Sequence, residues 1–533
     1  MKRIRIFLPI PLLLIGLALF FLQRHYMDEY PMHIHAWAEQ DHYALSLGFI
    51  NNGFDLFHPE TMVYNKQFPS WWKEPSATTI TSADFPIHEY IVAMLMKLFG
   101  TTSPWVFRFW TLLWATIGLL FVYRIAFWAT KKFTKSLFVT FLTLCSPVFL
   151  YYSNGFLPSI PALTMGIIGL WFYLRYYESR TLRHFHLSIA FLTLALLMRT
   201  TFAIELIAIL CFELLRIFRK ETYFLNKLPS VLISAALFAA YFLWNRHLRD
   251  LYGTVFLNEL LPPEDWQDAK ELVADTYHKW TYHYFQRLQY LAVAALALTV
   301  LVVTLIQKKA LKQNDTTPSD NSAPLSLWWL VLIEIFGCML FAIALMQQMP
   351  YHDYYLLDTF FLPFIFAVAL LLRQIQVRRL SAKIIGATVA VVLCFFWLRG
   401  AKTMQEERRT MEYNGVLSYD RFKDADKILD SLSISRDAKI LCLYGYAQNG
   451  PFIQMGRKGY TMMWDEEGWL ETVLDWDYDY IVIENGKFAE HLDRNRTQLS
   501  RLKKIGGNQS FSVCTPTNNW IYQVDWQFFC PTN

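Results

Sequence analysis

The chain has 533 residues, 54% hydrophobic and 17% charged, against roughly 25% charged in an average soluble chain. Its net charge of +5 is modest and calls for no nucleic-acid partner. The shortage of charge is uneven. Residues 1–399 hold long apolar runs, while 400–533 read like an ordinary soluble domain. Aromatic residues reach 17%, with 19 Trp and 29 Tyr, as expected where rings belt a membrane interface.

Met1-Lys-Arg-Ile-Arg5 precedes an apolar run to Leu22. No small-residue cleavage site follows it, so the run reads as an uncleaved first helix. The spanning candidates are about 6–22, 106–127, 136–152, 157–175, 185–199, 201–218, 229–245, 286–306, 325–347, 358–374 and 383–399. Most approach the ~20 residues needed to cross the hydrocarbon. The pair 185–199 and 201–218 is short, with Arg199 between, and reads as a tight hairpin or a tilted pair. Residues 86–100 carry His88, Glu89 and Lys97 in an apolar setting and read as a helix lying in the interface.

Charge orients this set. With Met1 inside, the inner segments hold 21 Lys and Arg against four acids. The outer loop 23–105 holds four Lys and Arg and nine acids, and the loop 246–285 holds four and seven. That is the positive-inside pattern. The expected architecture is a polytopic α-helical membrane protein with about eleven transmembrane helices over 1–399. Its place is the bacterial-type inner (plasma) membrane, with 400–533 outside the cytoplasm. Residues 312–324, polar and rich in Pro and Ser, read as a flexible cytoplasmic linker.

The tail alternates between helix and strand patterns, which predicts a soluble α/β domain. Ser418 is placed as the N-cap of a helix through Leu432. Residues 438–444 and 478–484 are strand-like, 465–474 helical, and two late strands are placed near 510–514 and 520–525. Outside the cytoplasm, Cys514 and Cys530 are candidates for a disulfide.

Ionisable residues at membrane depth or at its outer edge are costly and mark function more often than chance. Four clusters fall on the predicted outer face. The first is His33-Ile-His-Ala-Trp-Ala-Glu-Gln-Asp-His-Tyr-Ala44, which places Glu39, Asp41 and His42 together on one short amphipathic helix. His33, His35 and His42 also admit a metal reading, weighed against solvated surface imidazoles. The second is Asp84-Phe-Pro-Ile-His-Glu-Tyr90. The third is Tyr151-Tyr-Ser-Asn-Gly-Phe-Leu-Pro-Ser-Ile-Pro161, and the fourth Met349-Pro-Tyr-His-Asp-Tyr-Tyr-Leu-Leu-Asp358. Arg199 and Arg246 lie at outer helix ends, where a guanidinium suits either a phosphate ligand or snorkelling to lipid phosphates.

Taken in order, these residues resemble the GT-C glycosyltransferases. The likeness is to the dolichyl-phosphate-mannose protein mannosyltransferase-like branch, which includes the bacterial aminoarabinose transferase of lipid A. Glu39-Gln-Asp-His-Tyr-Ala44 is similar to the family's acidic Asp-Glu-x-x-Tyr-Ala signature. Asp84-Phe-Pro-Ile-His-Glu-Tyr90, with Leu98-Phe-Gly100 and Arg108, resembles its Pro-Pro-Leu-x-Tyr-Trp…Leu-Phe-Gly…Arg-Leu stretch. Phe149-Leu-Tyr-Tyr-Ser…Leu-Pro-Ser-Ile-Pro-Ala-Leu163 resembles Tyr-Tyr-Ser…Leu-Thr-Asp-Met-Pro-Leu. His352-Asp-Tyr-Tyr-Leu356 resembles His-x-Tyr-Tyr-Leu. Two positions depart from the pattern: Ser159 stands where the family commonly has Asp, and the Lys before Pro-Pro-Leu is missing.

The resemblance implies transfer of a sugar from a polyprenyl-phosphate donor to an extracytoplasmic acceptor (a lipid, a glycan or a protein), with inversion. Asp41 would take the acceptor's proton, with Glu39 the alternate. Arg246, Arg199 and His352 would face the leaving phosphate, and Tyr354, His88 and Tyr43 would line the substrate site. No cofactor is fixed by the residues; a divalent metal ion is the one candidate, without an assigned ligand set. The alternative is a transporter or flippase of a lipid-linked saccharide. It calls for mid-membrane ionisable residues and internal symmetry, whereas the polar clusters gather on one face and no repeat is found.

Overall fold

The computed structural model describes residues 9–66, 74–256, 259–312, 325–375, 379–411, 414–463, 469–491 and 502–516. Residues 313–324 of the expected linker, the expected strand 520–525 and Cys530 lie outside the described residues. Two compact units form. One comprises Met1–Met27, Arg108–Tyr241 and Glu259–Glu407, and the other Asp28–Phe107, Phe242–Asn258 and Arg408–Asn533.

The first unit is helical. Each of the eleven predicted segments contains a helix. Among the described residues four are long and apolar enough to cross a membrane: Pro104–Thr130, Leu228–Tyr252, Arg287–Ile306 and Ile384–Arg408. The segment expected at 136–152 is not continuous. It forms Phe133–Leu144 and then Pro147–Tyr152. Pro147 forces the residue before it out of the helical region; Ser146 is extended, and its hydroxyl accepts from the Phe149 amide. The pair around Arg199 is a helical hairpin, Leu182–Met198 and Ala203–Phe218. Leu182–Met198 also packs along Ser159–Ser179. A Cβ at Gly169 would meet Leu192 Cγ at 2.6 Å, so a small residue there sets the close approach of the two helices.

At the other end of this unit, Glu213 accepts from Tyr173 Oη at 2.6 Å and Lys227 Nζ at 2.5 Å. Arg216 pairs with both Glu213 and Glu221. Burial of charge is tolerable only when it is matched in this way. Helix Trp266–Tyr284, inside the expected loop 246–285, starts at an Asp265 cap that accepts from the Gln267 and Asp268 amides. Its buried Trp280 donates Nε1–H to the carbonyls of Met349 and Pro350, both at 3.1 Å.

The second unit contains a two-stranded ribbon, β1 (Asn65–Lys66) with β2 (Glu74–Pro75), and a five-stranded sheet. The sheet's strands are β3 (Ile440–Leu443), β4 (Gly459–Met462), β5 (Tyr480–Glu484), β6 (Leu502–Gly507) and β7 (Phe511–Pro516), in the order β4-β3-β5-β7-β6. β3 runs parallel to β4 and β5, while β7 is antiparallel to β5 and β6. All four residues of β3 are buried, as expected for a strand covered on both faces. Alternation divides them. Leu441 and Leu443 join Ile481, Ile483, Trp469 and Phe488 on one face. Ile440 and Cys442 join Phe422, Phe452, Val482 and Val513 on the other, together with Ala44, Met62 and Val63.

The helix expected over 418–432 is two helices, Asn414–Phe422 and Ala425–Ser431. Asp424 between them takes a left-handed φ of 59°, which a regular helix cannot continue through. Ser418 lies inside the first helix and caps neither. Cys442 and Cys514 are buried free thiols.

Candidate active site

Helix Ala36–Asn51 begins at His35, whose φ of 59° is left-handed. The turn is closed by the Ala36 amide on the His33 carbonyl at 2.8 Å. Gly48 lets the chain return close to this helix, since a Cβ there would stand 1.8 Å from the Glu60 carbonyl oxygen. Glu39 and Asp41 are each only 2% exposed. The expectation that Asp41 faces the same way as Glu39 and His42 is corrected. Each residue advances about 100° around a helix, so Asp41, two positions after Glu39 and one before His42, diverges from both. Asp41 Oδ1 accepts from Asn449 Nδ2 at 2.7 Å, whereas His42 Nδ1 lies 2.7 Å from Glu89 Oε1.

Glu89 belongs to helix Ile87–Phe99, which ends on Gly100 at a left-handed φ of 65°. Burial pushes the Glu89 carboxyl up, but the His42 hydrogen bond and charge bring it below the ordinary value. Its neighbour His88 is buried, with its ring edge-on to Phe107 at 5.0 Å. Burial pulls this imidazole down to about 4, against the opposing charge of Glu89. It is therefore neutral near pH 7, and neither ring nitrogen has a hydrogen-bond partner among the described residues. Burial also pushes the Asp41 carboxyl well above its usual range, with the Asn449 hydrogen bond opposing. Tyr43 donates its hydroxyl to the Thr102 carbonyl and meets Tyr30 edge-to-face.

The three histidines of the metal reading do not converge. His33 Nδ1 lies 2.7 Å from the Arg409 carbonyl and its Nε2 3.4 Å from Glu29, while His42 turns to Glu89. Among the described residues no group of three His, Cys, Asp or Glu side chains has the geometry of a metal site. Arg246, also in this unit, is 61% exposed and 3.8 Å from Asp250.

In the helical unit, the third and fourth clusters and Arg199 meet. Arg199 donates Nε–H and Nη2–H to one oxygen of Asp358, at 2.9 and 2.7 Å. Its guanidinium stands 5.3 Å from the Tyr354 ring centre and 5.9 Å from that of Tyr355. Tyr152 donates its hydroxyl to Asp353 Oδ1 at 2.7 Å. Arg108 donates to the Asn154 carbonyl at 2.8 Å and covers the Phe156 ring. Half-buried His352 lies 5.2 Å from the Tyr354 ring. Ser159 and Thr201 stand beside the Asp358 carboxyl.

Residues 82–247 match the family model described as dolichyl-phosphate-mannose-protein mannosyltransferase. A crystal structure of ArnT from Cupriavidus metallidurans bound to undecaprenyl phosphate superposes with a TM-score of 0.56 at 10% identity. It covers 96% of this chain and 98% of its own. The chain thus shares the fold of ArnT, and within it residues 82–247 match the mannosyltransferase family model. The Archaeoglobus fulgidus oligosaccharyltransferase follows at a TM-score of 0.49 and 12% identity, covering 92% of this chain and 69% of its own. No curated protein matches this sequence.

Three buried polar residues stand outside the four sequence clusters. Glu205 and Glu334 are 3% and 1% exposed inside helices Ala203–Phe218 and Trp328–Ala344. A Cβ at Gly166 would lie 2.4 Å from Glu205 Oε2, so a glycine makes room for that carboxyl. The available signal was an acid within each apolar run at 201–218 and 325–347. Asn449 is the third; it sits in Asn449-Gly-Pro451, which reads locally as a turn.

Proposed function

We propose that this chain is a membrane glycosyltransferase that moves one sugar from a polyprenyl-phosphate donor to a hydroxyl of an extracytoplasmic lipid, glycan or protein, inverting the anomeric centre. The observation that carries the reading is the Asp41 carboxyl. It is buried on a helix of the first outer loop, and burial raises its proton affinity, as a general base requires. The acceptor oxygen attacks the anomeric carbon, the bond from that carbon to the phosphate oxygen breaks, and the acceptor proton passes to Asp41. The lipid phosphate leaves with the bonding electrons, against the positive charge of Arg246 or Arg199 and beside His352. Tyr43, His88 and Tyr354 orient the substrates, and the helical part of 1–399 accommodates the prenyl chain. That ArnT was crystallised with undecaprenyl phosphate supports this class of donor.

A radiolabel transfer assay with purified protein and a panel of polyprenyl-phosphate sugars tests the reading. Label appearing in an acceptor fraction is the expected result; release of label with none of the panel sinks it. The same assay after chelation tests a divalent metal, since activity that survives EDTA leaves charge neutralisation to the side chains.

Arg246→Ala should weaken donor use by about 1–2 kcal/mol. That is the lower part of the span for a charged hydrogen bond, because water screens an exposed guanidinium. Arg246→Lys should recover part of it, since a point charge lacks the planar donor pair. A donor concentration series is the measurement, and an unchanged series would pass the role to Arg199.

The proposed orientation places 312–324 in the cytoplasm and 400–533 outside, in a bacterial-type inner membrane, on the 21-to-4 ratio of basic to acidic residues in the inner segments. Single cysteines introduced in each region should react with an impermeant reagent in intact cells only at 400–533. Reaction at 312–324 would overturn the orientation.

A further inference from the structure

We infer that Asn449, in the loop after β3, is a positioning residue for Asp41: it holds Oδ1 of that carboxyl and leaves Oδ2 to receive the acceptor's proton. The inference rests on Asp41 being the base.

The loop is shaped for this contact. β3 ends at Leu443, and Tyr444 and Tyr446 then take φ of 63° and 59°. That left-handed backbone is unfavourable for residues bearing a Cβ, and such conformations concentrate where a loop is held for a purpose. Asn449 stands at the N-cap position of helix Gly450–Met455 but makes no side-chain cap bond. An Asn there ordinarily accepts from its own helix. This one reaches across the sequence in two directions. Its Oδ1 accepts from the Met62 amide at 3.0 Å, and its Nδ2 donates to Asp41 Oδ1 at 2.7 Å. Both Asn449 and Asp41 are buried.

The orientation of the amide follows from chemistry. A backbone N–H only donates, so the atom facing Met62 is the oxygen and the atom facing Asp41 is the NH₂. A donor on Oδ1 favours the ionised carboxylate. It also makes Oδ1 a poor place for an incoming proton, which is therefore directed to Oδ2. Gly450 permits the approach, because a Cβ there would meet Gln40 Oε1 at 2.7 Å and Ser418 Oγ at 2.6 Å.

Asn449→Asp separates the two contacts. It keeps an oxygen for the Met62 amide and nearly the same shape, but replaces the donor facing Asp41 with a second carboxyl. Asn449→Ala removes both. The readout is infrared titration of the full-length protein in lipid nanodiscs, following the Asp41 carboxyl stretch, identified by its absence in Asp41→Asn. Other titratable groups on Asp41's helix and on the helices packed against it are common to every variant. They are Glu39, His42 and Tyr43, then His88, Glu89, Tyr90 and Lys97, and Tyr419, Asp420 and Arg421 on Asn414–Phe422.

In Asn449→Ala the midpoint should rise by about one pH unit, a tenfold loss of ionised form at a fixed lower pH. In Asn449→Asp the two carboxyls should titrate as a pair with its upper midpoint higher still, at an unchanged melting temperature. If Asn449→Ala does not fold, Asn449→Asp alone decides. A wild-type midpoint in the folded variants overturns the positioning role while leaving Asp41 as base. Wild-type transfer by Asp41→Asn overturns the base, whatever Asn449 does.

Discussion

Asp41→Asn should lower turnover by about 10²–10⁴, the usual contribution of a general base, while protein level and donor binding persist. The amide keeps the size of the carboxyl and can still hydrogen-bond, but cannot take the acceptor's proton. Glu39→Gln should cost less. Near-normal transfer by Asp41→Asn beside a dead Glu39→Gln would move the base to Glu39, and normal transfer by both would remove the mechanism. The pH profile gives an independent check. A base works when ionised, and burial raises the Asp41 carboxyl above its usual value. The rate should therefore be present above that raised midpoint and fall as pH drops through it. That limb should sit at higher pH than an exposed carboxylate would give and vanish in Asp41→Asn.

The second large effect is on stability. Arg199→Ala should destabilise the helical unit by about 3–5 kcal/mol, because it strands the Asp358 charge. The Asp358 side chain is 0% exposed and that of Arg199 13%, so water can do little to replace the lost partner. Detergent-induced unfolding followed by tryptophan fluorescence measures the loss. The double variant Arg199→Met with Asp358→Leu should regain most of it, since apolar side chains of similar volume remove the uncompensated charge. A single Arg199→Ala variant unfolding with the wild type would show that the pair contributes nothing.

Much of this architecture is legible in the sequence because hydrocarbon demands long apolar runs, and those leave an unmistakable record. The failures are local. Residues 136–152 read as one apolar run, and only the steric demand of Pro147 on Ser146 breaks it. Trp266–Tyr284 is too polar to register as an apolar helix, and its Asp265 cap is a short signal. β4, Gly459-Tyr-Thr-Met462, is only four residues long and depends on pairing with β3. The sequence singled out Asp41 and His352 as candidates, yet their partners were invisible in it. Asn449 and Asp41 are 408 positions apart, and nothing in a local pattern encodes a bond across that interval. Glu205 and Glu334 were passed over because the hydropathy of their surroundings outweighed one acid each.

The bond between Asn449 and Asp41 also sets a clock for the nascent chain. Asp41 leaves the ribosome 408 residues before its partner, an interval on the order of 20–80 s at 5–20 residues per second. Throughout it, helix Ala36–Asn51 lacks part of its packing, because Ala44, Met62 and Val63 share a core with Ile440, Phe452 and Val513. The Asp41 carboxyl is therefore buried and oriented only after all the apolar helices have been made. On the proposed role of Asp41, a chain arrested anywhere before β3 would be inert, and competence would arrive late in synthesis and all at once.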